Sequence, residues 1–273
     1  MTGYKNLLVG LVPDARLPSA ALDYALDLAG RFSAHVTVDV GISDDMPIGP
    51  MNYEAALLVE RMNDRLAITA HTVADRVKTI TDLSGVRCSV RELRETFFTL
   101  RHGFAFSARM YNVAILGDSQ ADAAYAESAL YESGRPVMIV PAGMEVCNLT
   151  RCAVAWDGSA TAARAVNDAL PLLKAFNGVE VVCVRQASQV SNQLPGFGIT
   201  QHLNRHGVDA VLDEVAVLHE DMIGTLVNHV GRSRFDLVVM GAYSHSWLRE
   251  RLFGGATRSL LDLHPTTLFL SHS

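Results

Sequence analysis

A gapless internal repeat constrains this chain more than any other feature. Residues Ala21 to Val40 read ALDYALDLAGRFSAHVTVDV and Ala165 to Val184 read AVNDALPLLKAFNGVEVVCV, with seven of twenty aligned positions identical. The identities are Ala21/Ala165, Ala25/Ala169, Leu26/Leu170, Leu28/Leu172, Phe32/Phe176, Val38/Val182 and Val40/Val184. Apolar residues at helical spacing fill the first part of each window, and β-branched residues fill the last. Each window therefore predicts a helix running into a strand. A helix–strand unit that recurs half a chain later points to duplication of one domain.

Other segments repeat in the same order. Asn6 to Gly10 matches Arg151 to Ala155 as an opening strand. Tyr111 to Gly117 matches Phe235 to Gly241 as a late strand ending on glycine, and Pro136 to Val140 matches Pro265 to Leu270 as a last strand. Each half reads as five strands alternating with four helices. That alternation predicts an α/β fold with two tandem domains, each a five-stranded parallel sheet with helices on both faces. Pro141, Gly143 and Asn148 interrupt the periodicity between Pro141 and Thr150, so the expected domains are residues 1–144 and 150–273. The halves are expected to form two sheets related by a pseudo-twofold axis, with the Pro136 and Pro265 strands at the junction. They differ in the helical pattern between Met51 and Ile80, which has only a short counterpart near Ile199 to His206.

Composition removes several functional classes. Hydrophobic residues make up 49% and charged residues 19% of the 273 residues, which excludes a disordered chain. Mean hydropathy is +0.18, yet the apolar residues come in short runs such as Leu237 to Met240, and no run reaches the roughly 18 residues of a membrane span. The net charge of −6 supplies no basic excess to displace counterions from nucleic acid. No membrane or nucleic-acid partner is expected. The N-terminus has no basic segment followed by a long apolar one, so no signal peptide is expected. The cysteines Cys88, Cys147, Cys152 and Cys183 form no Cys-x-x-Cys pair. Cys88, Cys152 and Cys183 fall in strand-like segments and are expected to be buried free thiols in a cytoplasmic protein.

The segment with chemical potential follows the late strand of the second half. From Met240 and Gly241 the chain runs through Ser244 and His245 to Gly254, Gly255, Ala256 and Thr257, where an apolar helical pattern begins. Free N–H groups at a helix start bind anions, and glycines let the backbone approach a phosphate. Ser244, Thr257 and the cationic Arg249, Arg251 and Arg258 are placed to assist. The interval from Gly241 to Pro265 exceeds that from Gly117 to Pro136 by five residues, so the extra loop lies where doubly wound sheets bind ligands. Walker and Gly-x-Gly-x-x-Gly patterns are absent. His202 and His206 have helical i, i+4 spacing, but no third metal ligand accompanies them and they read as surface residues.

In these residues the chain resembles a tandem universal stress protein, two UspA-type domains in one polypeptide. That family's nucleotide pattern is Gly, two residues, Gly, nine residues, Gly, then Ser or Thr. Gly241 and Gly254 occupy the first and third glycine positions, Ser244 replaces the second, and Gly255 stands at the Ser/Thr position with Thr257 two residues on. The family's base- and ribose-contacting Asp and Val match Asp157 and Val184. The resemblance thus implies an ATP-like adenine nucleotide bound by Ala155, Asp157, Val184, Met240, Gly241, Ser244, Gly254, Gly255, Ala256 and Thr257. The first half departs from the pattern. Gln120 stands at the second glycine position and Val12 where Asp157 stands, with Asp14 nearby. It is not expected to bind nucleotide in that manner. The resemblance further implies an internal pseudo-dimer that can itself dimerise. It implies a regulatory rather than catalytic role. The alternatives are an interaction scaffold without nucleotide and a slow ATP hydrolase.

Overall fold

The computed structural model describes residues 3–12, 17, 19–43, 52–185, 196–218, 222–242 and 266–272. Short apolar runs become strands buried on both faces. In β1 (Asn6–Leu11), Leu7, Leu8 and Val9 are all fully buried, as expected where helices cover both sides of a sheet. The first half continues through α1 (Ala20–Phe32), β2 (His35–Ser43), α2 (Tyr53–Ser84), β3 (Cys88–Glu95), α3 (Phe97–Ala108), β4 (Val113–Leu116), α4 (Gln120–Glu132) and β5 (Val137–Ile139). The second half repeats the order with β6 (Arg151–Ala155), α5 (Ala160–Leu173), β7 (Gly178–Arg185), α6 (Phe197–Arg205), β8 (Ala210–Ala216), α7 (Met222–Ser233), β9 (Leu237–Gly241) and β10 (Thr267–Ser271). The repeated windows are α1–β2 and α5–β7, as the aligned sequences predict. Serine caps start both helices. Ser19 Oγ accepts from the Leu22 amide and Ser159 Oγ from the Ala162 amide.

The strand order is β3-β2-β1-β4-β5-β10-β9-β6-β7-β8. Within each half every pairing is parallel. The expectation of two separate sheets is corrected, because β5 and β10 pair antiparallel and make one continuous ten-stranded sheet. The Pro136 and Pro265 strands do meet, through Ile139↔Leu268, Met138↔Phe269 and Val137↔Leu270. The reason is main-chain hydrogen bonding. Each strand is the last of its half and would leave an open row of N–H and C=O groups. All six residues are buried, so water cannot satisfy those groups and the partner strand does. The order reads equivalently from either edge, and equivalent strands meeting across a twofold axis run antiparallel, as these two do.

The core is divided by face of the sheet. One cluster joins Leu7, Val9 and Val38 to Leu22, Val77, Ala165 and Leu172. The other joins Leu8, Ala114 and Leu116 to Phe104, Ala129 and Val227. Each cluster contains residues of both halves, Val154 and Phe269 in the first, Val238 and Leu268 in the second. Polar ties cross the junction as well. The Tyr4 hydroxyl donates to the Asp168 carbonyl at 2.9 Å and Arg164 to the Gly134 carbonyl at 3.2 Å, while the Cys147 amide ties the linker to Asp27 Oδ2 at 2.9 Å.

The four cysteines are free thiols. Cys152 and Cys183 are buried as expected, and so is Cys147. Burial pushes the thiols of Cys147 and Cys183 up to about 11 and that of Cys152 well above its ordinary value. Cys88 corrects the expectation. It is only half-buried because it opens β3, the outermost strand of the sheet.

Candidate functional site

Parallel strands carry their C-terminal ends to one rim of the sheet, and the helices leave from there. In the second half β6 lies between β7 and β9. The chain leaves β6 towards α5 on one face and β9 lies against it on the side of the topological switch, the usual ligand crevice of such sheets. Ala155 ends β6, Val184 lies one residue before the end of β7, and Met240 and Gly241 end β9. The registers Ala155↔Val182 and Val154↔Val239 bring Ala155, Met240 and Gly241 to the same rim, with Val184 at the end of the next strand. Asp157 follows β6 and is exposed. Its Oδ1 accepts from the Ser159 amide at 2.9 Å, and Gly158 between them has φ +80°. This tight turn starts α5 only four residues after β6 ends. Ser244, Gly254, Gly255, Ala256 and Thr257 lie outside the described residues, as does His245.

Gly241 has a second role that the sequence reading missed. A Cβ there would stand 2.5 Å from the Ala162 nitrogen and 2.6 Å from the Thr161 carbonyl carbon. Both are backbone atoms of the first turn of α5, so glycine is needed for the helix to lie against the strand. The signal was the brevity of the Asp157-Gly158-Ser159 turn, which forces the helix to begin directly over the rim.

The equivalent rim of the first half is built differently. Val12, buried, stands at the position of Asp157. The glycine matching Gly241 is Gly117, and a Cβ there would lie 2.8 Å from Asp122 Oδ2, a side-chain atom. Asp122 is a capping residue of α4. Its Oδ2 accepts from the Ser119 amide at 3.2 Å and from the Ser119 hydroxyl, while Ser119 Oγ accepts from the Asp122 amide at 3.1 Å. This reciprocal box was legible as Ser119-x-x-Asp122, although the sequence reading passed over it. Burial raises the Asp122 carboxyl above its ordinary value, and the hydrogen bonds from Ser119 work against that rise.

Other candidates resolve into local packing. The His202 and His206 rings stand 4.5 Å apart, His202 half-buried and His206 exposed, and no group of three or more metal-ligating side chains occurs among the described residues. Acidic side chains of β8 and β3 are paired. Glu214 meets Arg185 at 2.8 Å, Asp213 meets His229 at 2.8 Å, and Glu92 meets His71 at 2.9 Å. No described helix is long and apolar enough to cross a membrane.

No family model matches the sequence, and no curated protein matches it. Solved structures do. A universal stress protein from Archaeoglobus fulgidus superposes with a TM-score of 0.70 at 16% identity, covering 97% of this chain and 96% of its own. A functionally unknown protein from Pseudomonas aeruginosa superposes at 0.54 with 13% identity over 98% of this chain and 92% of its own. A putative universal stress protein from the same species gives 0.53 and 14% over 98% and 93%. The chain therefore has, along almost its whole length, the α/β fold found in universal stress proteins.

Proposed function

We propose that this chain is a universal stress protein of the two-domain kind, with domains over residues 1–144 and 150–273. In this reading the second domain holds an adenine nucleotide, ATP or a close relative, and the role is regulatory rather than catalytic. The observation that carries the reading is the gathering of Ala155, Asp157, Val184, Met240 and Gly241 at one rim of the sheet, beside the crevice where the strand order reverses. The base lies against Asp157 and Val184. The phosphates lie between Gly241 and residues 254–257, where the Gly241-to-Gly254 spacing supports a helix-start anion site. Occupancy then biases the conformation or partner binding of the protein, as a ligand with differential affinity for two states must. The experiment is mass spectrometry of small molecules released from the purified protein, followed by an ATP turnover assay. An adenine nucleotide that is bound and not hydrolysed is the expected result. Absence of any nucleotide, or rapid turnover, overturns it.

One observation favours a second reading, an interaction scaffold without nucleotide. Gly241 is demanded by the backbone of α5, so its presence at the family position has a structural cause that needs no phosphate. Millimolar ATP that fails to bind the protein would select this reading.

A further inference from the structure

The ten-stranded sheet ends in two edge strands, β3 and β8. Over its whole length β3 is paired on one side, from Val36↔Cys88 to Ser43↔Glu95, and no described strand pairs its other side. The Val36 amide donates to the Arg87 carbonyl at 3.0 Å. Main-chain groups alternate in direction along a strand, so those of Cys88, Val90, Glu92 and Arg94 point away from β2. Such an open row of N–H and C=O groups is a template for another strand, and natural edges are commonly guarded by charge.

The two edges carry different kinds of charge. β8 has Asp213 and Glu214 and no cation, so two copies of it would set like charges together. β3 mixes the signs in Arg91, Glu92, Arg94 and Glu95. An antiparallel pair of β3 strands with its twofold axis at Leu93 sets Glu92 opposite Arg94 of the second copy, and Arg91 opposite Glu95 of the second copy. Symmetry repeats each match. In this register the outward main-chain groups of Glu92 and Arg94 form the hydrogen-bonded pairs, and Leu93 meets its own copy at a non-hydrogen-bonded position. The partners already present leave room for these contacts. Arg91 spends Nε and Nη2 on Asp39 at 2.7 and 2.9 Å, and a guanidinium has further N–H donors. His71 engages Oε2 of Glu92, which leaves Oε1.

The helix above this edge fits the same axis. α2 packs on both β2 and β3, so in a β3–β3 pair its axis stands about one strand spacing, ~4.8 Å, from the twofold. Two copies of α2 then lie about 10 Å apart, the packing distance of helices. The His71–Glu92 contact at 2.9 Å fixes α2 along β3. Because α2 runs opposite to the strands it connects, Ile68 lies one turn nearer the axis than His71, and on the same helix face. Ile68 is 67% exposed, and the α2 helix of a second copy covers it.

We propose that β3 is a homodimerisation edge, at which a second copy of this chain adds its own β3 antiparallel in the register centred on Leu93. The surface is the outer edge of the first half, so the inference stands apart from the nucleotide reading of the second.

The test is sedimentation equilibrium of the full-length protein at tens of micromolar, with charge-reversal variants. The parent is expected at twice the 29.6 kDa chain mass. Glu92→Arg and Arg94→Glu each set like charges opposite one another twice, and each is expected to weaken the dimer about tenfold or more. Mixed in equal amounts, the two variants are expected to recover the dimer, because each then meets the opposite sign. Misfolding of either variant cannot produce that recovery. Leu93→Cys is expected to cross-link between chains under mild oxidation, since Cα atoms of a facing non-hydrogen-bonded pair stand about 4.5 Å apart. The parent is expected not to cross-link, because this register holds Cys88 roughly 34 Å from its copy. A parent that sediments as a monomer, single variants that dimerise as tightly as the parent, a mixture that stays dissociated, or a Leu93→Cys protein that fails to cross-link overturns the proposal.

Discussion

Gly117 directly follows β4 and Gly241 ends β9, equivalent strands of a duplicated sheet, yet different neighbours press on them. Against Gly241 stands the backbone of the first turn of α5, and against Gly117 stands the carboxylate of Asp122. The difference begins in the preceding loops. In the second half β6 passes to α5 within four residues, whereas in the first half eight residues separate β1 from α1. The early helix rests its first turn against Gly241. In the first half a side chain, Asp122, stands against Gly117 and answers the Ser119 amide and hydroxyl internally. Duplication thus supplies two rims, and local loop length decides whether the rim glycine serves packing or faces an acid.

This contrast can be broken by substitution. The largest effect is expected for Gly241→Ala, because backbone atoms at 2.5 and 2.6 Å cannot move without shifting α5. Overpacking of this kind costs about 3 kcal/mol, a fall of roughly 6–12 °C in Tm for a chain of this size. A thermal melt within 2 °C of the parent, on the order of a half kcal/mol, would show that α5 does not rest on Gly241. Asp122→Ala comes next. It removes half of the reciprocal cap, about 1–2 kcal/mol, measured by urea unfolding. Gly117→Ala should cost no more than about 1 kcal/mol, since a side-chain oxygen can yield where a backbone cannot. Equal losses for Gly117→Ala and Gly241→Ala would erase the contrast between the halves.

The smallest expected effect is a pH dependence. Burial raises the Asp122 carboxyl above its ordinary 3.8 in the folded state, so the folded protein binds that proton more tightly than the unfolded chain. The associated stability is fully present below pH 3.8 and is lost as pH rises through the raised value. Relative to Asp122→Asn, the parent should therefore become less stable between about pH 4 and neutrality. Unfolding curves for the two proteins that run parallel across this range would contradict the assignment.

Much of the fold was legible because the information is local. The repeated Ala21–Val40 and Ala165–Val184 windows specify α1–β2 and α5–β7 by apolar spacing alone, and Val36, Val38 and Val40 fall on one face because strand side chains alternate. The single ten-stranded sheet was not legible, since pairing of Val137–Ile139 with Leu268–Leu270 is made by main-chain groups that any sequence carries. The rim residues Ala155, Asp157, Val184, Met240 and Gly241 were legible as strand ends. The contact of Gly241 with Thr161 and Ala162 was not, because it depends on a helix entering from eighty residues away in sequence. The Asp122 cap was written plainly as Ser119-x-x-Asp122 and was overlooked in favour of the glycine pattern.

The most direct test of the central claim is titration of the full-length protein with ATP by isothermal calorimetry, alongside Gly254→Val. One nucleotide per chain is predicted. Gly254→Val should weaken binding about ten- to hundredfold by displacing a charge-assisted hydrogen bond. Two nucleotides per chain, no binding at millimolar ATP, or unchanged affinity in Gly254→Val would contradict an adenine-nucleotide site confined to the second half.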